Sequence, residues 1–398
     1  MRHEKSALEK RILTLNGGSS SIKFTLFEAG GTFRRALAGT LERIGWADAR
    51  IRFRNEGGEE GKERVGSISR ESAASFLLKW LEKRVDFARV EGVGHRVVFG
   101  MNRSRPERVT AALLRDLTRF IPFDPDHLPG EIGLMKAVRE RHPGLRQVAC
   151  FDTAFHQTLP RVAKIVPIPR RFEKAGLVRF GFHGLSYSSL MGQLERVGGK
   201  KEARGRVILA HLGNGASLAA VRGGKSVDTS MGFTPAAGLV MGTRPGDLDP
   251  GVAWHLLKNA GLSPDQYNHL IHHESGLLGV SETSSDMRDL IERERTDVRA
   301  AEAVDLFCYQ TKKWIGSFAA VLGGMETLVF SGGIGENSSV VRERICEGLG
   351  FLGIALDRRR NSKGEEIIST TGSKTTIRVI RTDEEAQIAE LVQRVLKI

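Results

Sequence analysis

Three glycine-rich turns, each following an apolar run, carry the residue types that could grip a phosphate. In the longest, the run 207–210 turns through His211, Leu212, Gly213, Asn214 and Gly215 and returns through the apolar residues 218–221. Glycine lets backbone N–H groups come close to an anion, and successive N–H groups in such a turn form a nest for phosphate oxygens. The same grammar appears near the start, where the run 12–15 leads into Asn16, Gly17, Gly18 and Ser19 to Ser21, with Lys23 on the return. A third copy runs from Ser331 through Gly332, Gly333, Ile334, Gly335 and Glu336 to Asn337. Arg244 and Asp247 sit in a loop broken by Gly242, Pro245, Gly246 and Pro250, and a rigid guanidinium there suits bidentate recognition of an oxyanion. Asp152 directly follows an apolar strand, 146–151, where a carboxylate can meet a metal or an acceptor, although a lone aspartate there is more often a turn residue. The chemistry these residues share is the handling of phosphate.

The elements that must position them form two halves of similar build. The first two glycine hairpins lie about half a chain apart, which suggests a duplicated α/β architecture with a ligand cleft between the halves. Residues 30–70 read as a polar β-meander or an excursion, 71–84 as an amphipathic helix, and 90–98 as a strand ending in His95 and Arg96. The clearest long helix is 301–322, with Val304, Phe307, Cys308, Thr311, Ile315, Phe318, Ala319 and Leu322 on one stripe. Thr382 and Glu385 are placed to form a capping box for a last helix, with Glu384 in its first turn, where the helix dipole alone would favour an acid. Residues 224–226 imitate the end of a P-loop, but that motif needs glycine where Ala219 stands, so Lys225 is expected to be a solvated hairpin residue.

Composition narrows the class. A chain of 398 residues can build two domains, and 40% hydrophobic with 27% charged residues is ordinary for a globular protein. No apolar run is long enough to span a bilayer, and the opening MRHEKSALEKR lacks the apolar core of a signal peptide, so a cytoplasmic location without membrane attachment is expected. Cys150, Cys308 and Cys346 are too scattered for a metal site or a disulfide framework and read as buried thiols. The net charge of +13 raises the question of nucleic acid. With acids interleaved and only 7% aromatic residues to stack bases, no nucleic-acid partner is expected.

The ordered motifs LNGGSSSIKF, GHRVV, FDTAFHQTLP, GFHGLSY, HLGNGASLAAV, DTSMGFTP, GTRPGDLDPG, SSDMRDL, GGIGEN and TDEE cover almost the whole chain. Together they resemble the acetate kinase family of acetate and propionate kinases. The resemblance implies two duplicated ribonuclease H-like, or actin-like, ATPase domains. One would comprise 1–155 closed by the helix 382–398, the other 156–381. It implies ATP or ADP as co-substrate, Mg²⁺ (or Mn²⁺), acetate or another short-chain carboxylate as acceptor, and a homodimer. It makes Asp152, His183, Arg244 and Arg96 catalytic and Asn16 and Glu384 metal-site residues. It assigns Lys23, His211, Leu212, Gly213, Asn214, Gly215, Asp286, Met287, Arg288, Gly333, Ile334, Gly335, Glu336 and Asn337 to the nucleotide, and it lines an acceptor pocket with Arg96, Val98, Phe123, Phe182 and Pro235. Alone, Asp286 and Arg288 could equally be a helix cap.

Two departures bear on the acceptor. The family's usual GHRVVHGG is GHRVVFGM here, so Phe99 replaces a histidine and Met101 a glycine. Where a PLHNP stretch with a useful histidine is usual, this chain has IPFDPDHLPGE, which puts Asp124 at that place by count and offers His127 in another register. Phe123 stands where a smaller leucine is usual, so acetate is expected over propionate, with butyrate poor. The alternatives are a propionate or butyrate kinase, or a nucleotide-binding regulatory protein that has lost acceptor chemistry.

Overall fold

A computed structural model describes residues 10–18, 20–29 and 33–398. Ser19 of the first glycine turn and most of the opening segment judged not to be a signal peptide lie outside the described residues. The chain divides into two compact units, residues 1–154 with 383–398, and residues 155–382.

The first unit is built on strands β1 (Lys10–Gly17), β2 (Ser21–Ala29), β3 (Arg34–Glu42), β4 (Ala49–Asn55), β5 (Glu60–Gly66), β6 (Val90–Val97), β7 (Glu107–Arg108) and β8 (Gln147–Phe151). They form one sheet in the order β5-β4-β3-β2-β1-β6-β8-β7. β1 to β5 pair antiparallel in sequence, as a meander should, while β1, β6 and β8 run parallel. The period of two separates the faces of the meander. On β4, Ile51 and Phe53 turn inward to the core, where Phe53 meets Trp80 edge-on at 5.2 Å. Arg50, Arg52 and Arg54 alternate with them and stand opposite Arg64, Lys62 and Glu60 of β5, so much of the positive charge lies on one face of this sheet. The helices Arg70–Glu82 and Leu128–Arg141 cover the inner face, burying Leu77, Leu78, Leu81, Leu134 and Val138. Each such side chain contributes roughly 1.5–3 kcal/mol through removal from water.

The C-terminal helix Glu384–Leu396 packs on β6, β1 and β8. Its approach depends on Gly94, where a Cβ would run into Ile388 and Val392. The Thr382–Glu385 capping box does not form. Asp383 takes the N-cap and accepts from the Ala386 N–H, because Thr382 is engaged elsewhere: its hydroxyl meets Ser186 at 2.8 Å and its N–H donates to Glu336.

The second unit carries β9 (Arg206–Leu212), β10 (Ala216–Arg222), β11 (Lys225–Thr229), β12 (Thr327–Ser331) and β13 (Thr376–Val379), in the order β11-β10-β9-β12-β13. β9, β10 and β11 are antiparallel neighbours, and β9, β12 and β13 are parallel. This repeats the β3-β2-β1-β6-β8 arrangement of the first unit strand for strand, which is the duplication the glycine hairpins suggest. The long helix spans Val298–Leu322 and buries the expected stripe, and all three cysteines are buried and free. Lys225 is an exposed residue at the start of β11. Among the described residues no helix is long and apolar enough to cross a membrane.

Candidate active site

In the first unit, the parallel strands bring polar residues together at one end. Asn16, next to last in β1, lies beside Arg96 near the end of β6, and Asp152 follows β8 directly. The Arg96 guanidinium donates from Nε to Asp152 Oδ2 at 2.8 Å and from Nη1 to Asn16 Oδ1 at 3.2 Å. The Asn16 amide nitrogen in turn donates to Glu384 Oε2 at 3.1 Å and to Glu385 Oε1 at 3.3 Å, so the first turn of the C-terminal helix completes the cluster. Asp152 is fully buried. Burial opposes the charge on Arg96, but the carboxylates of Asp152 and Glu384 outweigh it and raise the guanidinium above its ordinary range, so it stays charged.

Asn16, Asp152 and Glu384 offer oxygen donors, which suit a hard divalent cation. Among the described residues no group of three or more His, Cys, Asp or Glu side chains could hold a metal ion by itself. Magnesium keeps several waters, so three such oxygen donors would suit an ion whose shell is completed by water.

Val98, one residue beyond β6, is buried, and Phe123 is half-buried. The two aromatic departures touch: Phe99 and Phe123 stack with ring centroids 5.7 Å apart and planes 14° from parallel, and Phe120 meets Phe123 edge-on. Asp124 is buried and receives the His127 Nδ1 at 2.8 Å. Met101 adopts a left-handed φ of 53°, a conformation that comes most easily to glycine.

In the second unit the glycine turns converge. A cavity of about 670 Å³ is lined by Gly213 and Asn214 after β9, by Asp286, Met287 and Arg288, and by Gly333, Ile334 and Asn337 after β12. Three motifs far apart in sequence thus face one space large enough for a nucleoside and its phosphates. Gly242 matters here because a Cβ would overlap Asn214 Oδ1. Asp286 also caps the helix Met287–Arg293 and pairs with exposed Arg288, whose bond holds the carboxyl below its usual range. Leu212, Gly215, Gly335 and Glu336 do not line the cavity. Leu212 and Gly335 are buried, and Glu336 accepts from the N–H groups of Gly332 and Thr382 and from the Ser331 hydroxyl. Lys23 belongs to the first unit, opposite Asn16 on β2.

Beside this cavity's turn stand the remaining predicted groups. A Cβ on Gly215 would lie 2.7 Å from Arg244 Nη2 and 3.4 Å from His183 Nε2, so the glycine leaves room for both. Arg244 is anchored by Nη1 on the Pro235 carbonyl at 2.7 Å. His183 has a left-handed φ of 59°, and its Nδ1 meets Ser217 Oγ at 2.8 Å. Backbone held in this region costs about 1–3 kcal/mol and gathers at functional sites. The His211 ring lies 4.4 Å from that of His183, with Nδ1 on Ser186 Oγ at 2.7 Å. Phe182 is buried.

The duplicated fold and these strand-end clusters define an α/β phosphotransferase of the actin-like class. Residues 11–390 match the Acetokinase family, and the chain belongs to it. It is 42% identical to the acetate kinase of Methylocella silvestris over 96% of this chain and 97% of that one. It is 40% identical to the propionate kinase of Citrobacter rodentium over 98% and 97%. The crystal structure of Porphyromonas gingivalis acetate kinase superposes with a TM-score of 0.87 at 36% identity, covering 97% of this chain and 100% of that one. A propionate kinase from Francisella tularensis gives a TM-score of 0.90 at 34% identity, covering 97% and 99%. Membership implies ATP as co-substrate, a divalent metal and a carboxylate as phosphoryl acceptor.

Proposed function

We propose that the chain is an acetate kinase, moving the γ-phosphoryl group of ATP reversibly onto acetate to give acetyl phosphate and ADP. The observation that carries this reading is the buried Arg96 cluster: a guanidinium kept charged by Asp152, with part of its surface open, is what a small carboxylate needs. Acetate is ionised at neutral pH, so its attack on phosphorus needs no general base. One carboxylate oxygen forms the new P–O bond as the bond to the β-phosphate oxygen breaks, and that oxygen leaves with ADP.

Catalysis is then positioning and charge stabilisation. Arg96 holds the acceptor, and Arg244 with His183 stabilises the oxygens of the phosphoryl group in transit. The cavity behind Gly213, Asp286 and Gly333 takes the nucleotide, with His211 beside it, and the family resemblance assigns Lys23 to a phosphate as well. Asn16, Asp152 and Glu384 hold Mg²⁺, or Mn²⁺ in its place. When bound, the ion neutralises phosphate charge. The family resemblance assigns the methyl group of the acceptor to Val98, Phe123, Phe182 and Pro235. The same reading carries a cytoplasmic location, expected from the sequence, together with a homodimer and the domain division into 1–155 with 382–398 and 156–381, taken from the family resemblance.

Phe123 stacked on Phe99 leaves less room than leucine would, which favours acetate over propionate and makes butyrate poor. Propionate is the second reading, since a propionate kinase is as similar as many acetate kinases. A hydroxamate assay with ATP, Mg²⁺ and each of the three acids tests both. Acetyl phosphate as the main product supports the proposal, whereas faster turnover of propionate favours the second reading. No acyl phosphate from any acid refutes the phosphotransfer itself.

A further inference from the structure

Glu131, on the helix Leu128–Arg141, is a buried acid with no part in the phosphoryl transfer as proposed. Its Oε1 accepts from the Val98 backbone N–H at 3.0 Å. Val98 lies beyond the last ladder residue of β6, and its neighbour Val97 is fixed by accepting from the Asp152 N–H at 2.9 Å. The end of the strand that presents Arg96 is therefore tied at two points, to Asp152 on one side and to Glu131 on the other. Glu131 also backs the neighbouring strand, since its Cγ lies 3.8 Å from where a Gly17 side chain would begin, directly after Asn16.

Its second oxygen, Oε2, is buried and has no hydrogen-bond partner, and the same holds for Asp124 Oδ2. Burial, followed by the charge of Asp124, pushes the Glu131 carboxyl well above the usual range, against the pull of Arg96. A neutral acid can still accept from Val98, so what the fold uses here is the hydrogen bond and the shape of the side chain.

We propose that Glu131 is a positioning residue of the acceptor site, holding the Val98 backbone and the Asn16 turn so that Arg96 and the apolar wall meet the acceptor carboxylate in register. The proposal rests on the acetate kinase reading. The segment IPFDPDHLPGE starts the helix that carries Glu131, and the Asp124–His127 pair stands at its entry.

The test is steady-state kinetics on wild type, Glu131→Gln and Glu131→Leu, varying acetate and ATP separately. Glutamine keeps an acceptor oxygen of the same reach, and leucine keeps bulk without one. The expected result is that Glu131→Leu raises KM for acetate about tenfold or more with KM for ATP within about twofold, while Glu131→Gln stays within about threefold of wild type throughout. Should the leucine variant fail to fold, Glu131→Ala is read in the same way. An unchanged acetate KM in the leucine or alanine variant overturns the proposal, as does an ATP KM that rises in step. A glutamine variant as impaired as leucine overturns it too. A wild type that makes no acyl phosphate refutes the kinase reading instead, so the two failures are distinguishable.

Discussion

Five strands of the first unit recur in the same order in the second, yet on the proposed reading their corresponding ends serve different guests. At the end of β1 and β6 the first unit sets Asn16, Arg96 and Asp152, closed by Glu384, into a nearly dry knot of charge. At the end of β9 and β12 the second unit places His211 and Ser331 and opens a cavity of about 670 Å³ behind glycine turns. A small acceptor is held by a few strong, preorganised contacts, whereas a nucleotide needs volume and backbone donors. The same topology serves both because the residues at and beyond the strand ends differ.

The sharpest way to break this comparison is to cut the knot. Asp152→Ala leaves Arg96 without its main counter-charge, which costs roughly 3–5 kcal/mol of stability for a buried pair. Acyl phosphate formation should fall by about a thousandfold or more, while calorimetry still detects ADP binding. Loss of ADP binding in this variant, with the fold intact, would contradict the assignment of the nucleotide to the second unit.

Each unit contains a buried neutral histidine that acid works against, opposed in the first unit by the Glu131 carboxyl, which burial holds well above its usual range so that the folded chain favours its protonated form. Burial lowers His95 in the first unit and His156 in the second to about 4, from an ordinary 6.5. At these two sites the unfolded chain binds protons that the folded chain refuses, so the contribution of each histidine is full above pH 6.5 and is lost as pH falls towards 4. Between pH 7 and 5 the loss is about 2 kcal/mol per histidine. Urea unfolding of wild type and His156→Gln at the two pH values measures it, and the variant should lose about 2 kcal/mol less than wild type between them. An unchanged slope in that variant would mean that His156 is not the group responsible.

A milder change separates the units in the other direction. Gly242→Val displaces the Asn214 side chain, and it should weaken ATP binding about tenfold while leaving KM for acetate unchanged. The smallest expected effect is at Met101, whose left-handed backbone glycine would adopt without strain. Met101→Gly should gain about 0.5 kcal/mol, seen as a slightly raised melting temperature with activity kept.

Much of this was legible in the residues because local pattern carried it. Both glycine hairpins, the meander, the long helix and the strands before Arg96 and Asp152 fall where periodicity and turn chemistry put them. What stayed hidden depends on partners distant in sequence. The Thr382–Glu385 box fits the capping rule, but Ser186 and Glu336 compete for Thr382 and leave Asp383 to cap. Phe99 and Phe123 read as separate departures, and only the fold lays one ring on the other. Glu131 gives no signal of its own, because its role depends on the Val98 amide, 33 residues away in sequence. Glu336 belongs to a glycine motif and looks exposed to a ligand, yet it is consumed by internal donors.

The central claim, that Arg96 in the first unit holds the acceptor carboxylate while the cavity of the second unit takes the nucleotide, is tested most directly with Arg96→Gln. ATP affinity by calorimetry and acetyl phosphate formation by hydroxamate trapping would be measured on the same preparation. The account predicts ATP affinity within about threefold of wild type and acyl transfer lowered about a thousandfold. A variant that still makes acetyl phosphate at a rate near wild type would contradict it.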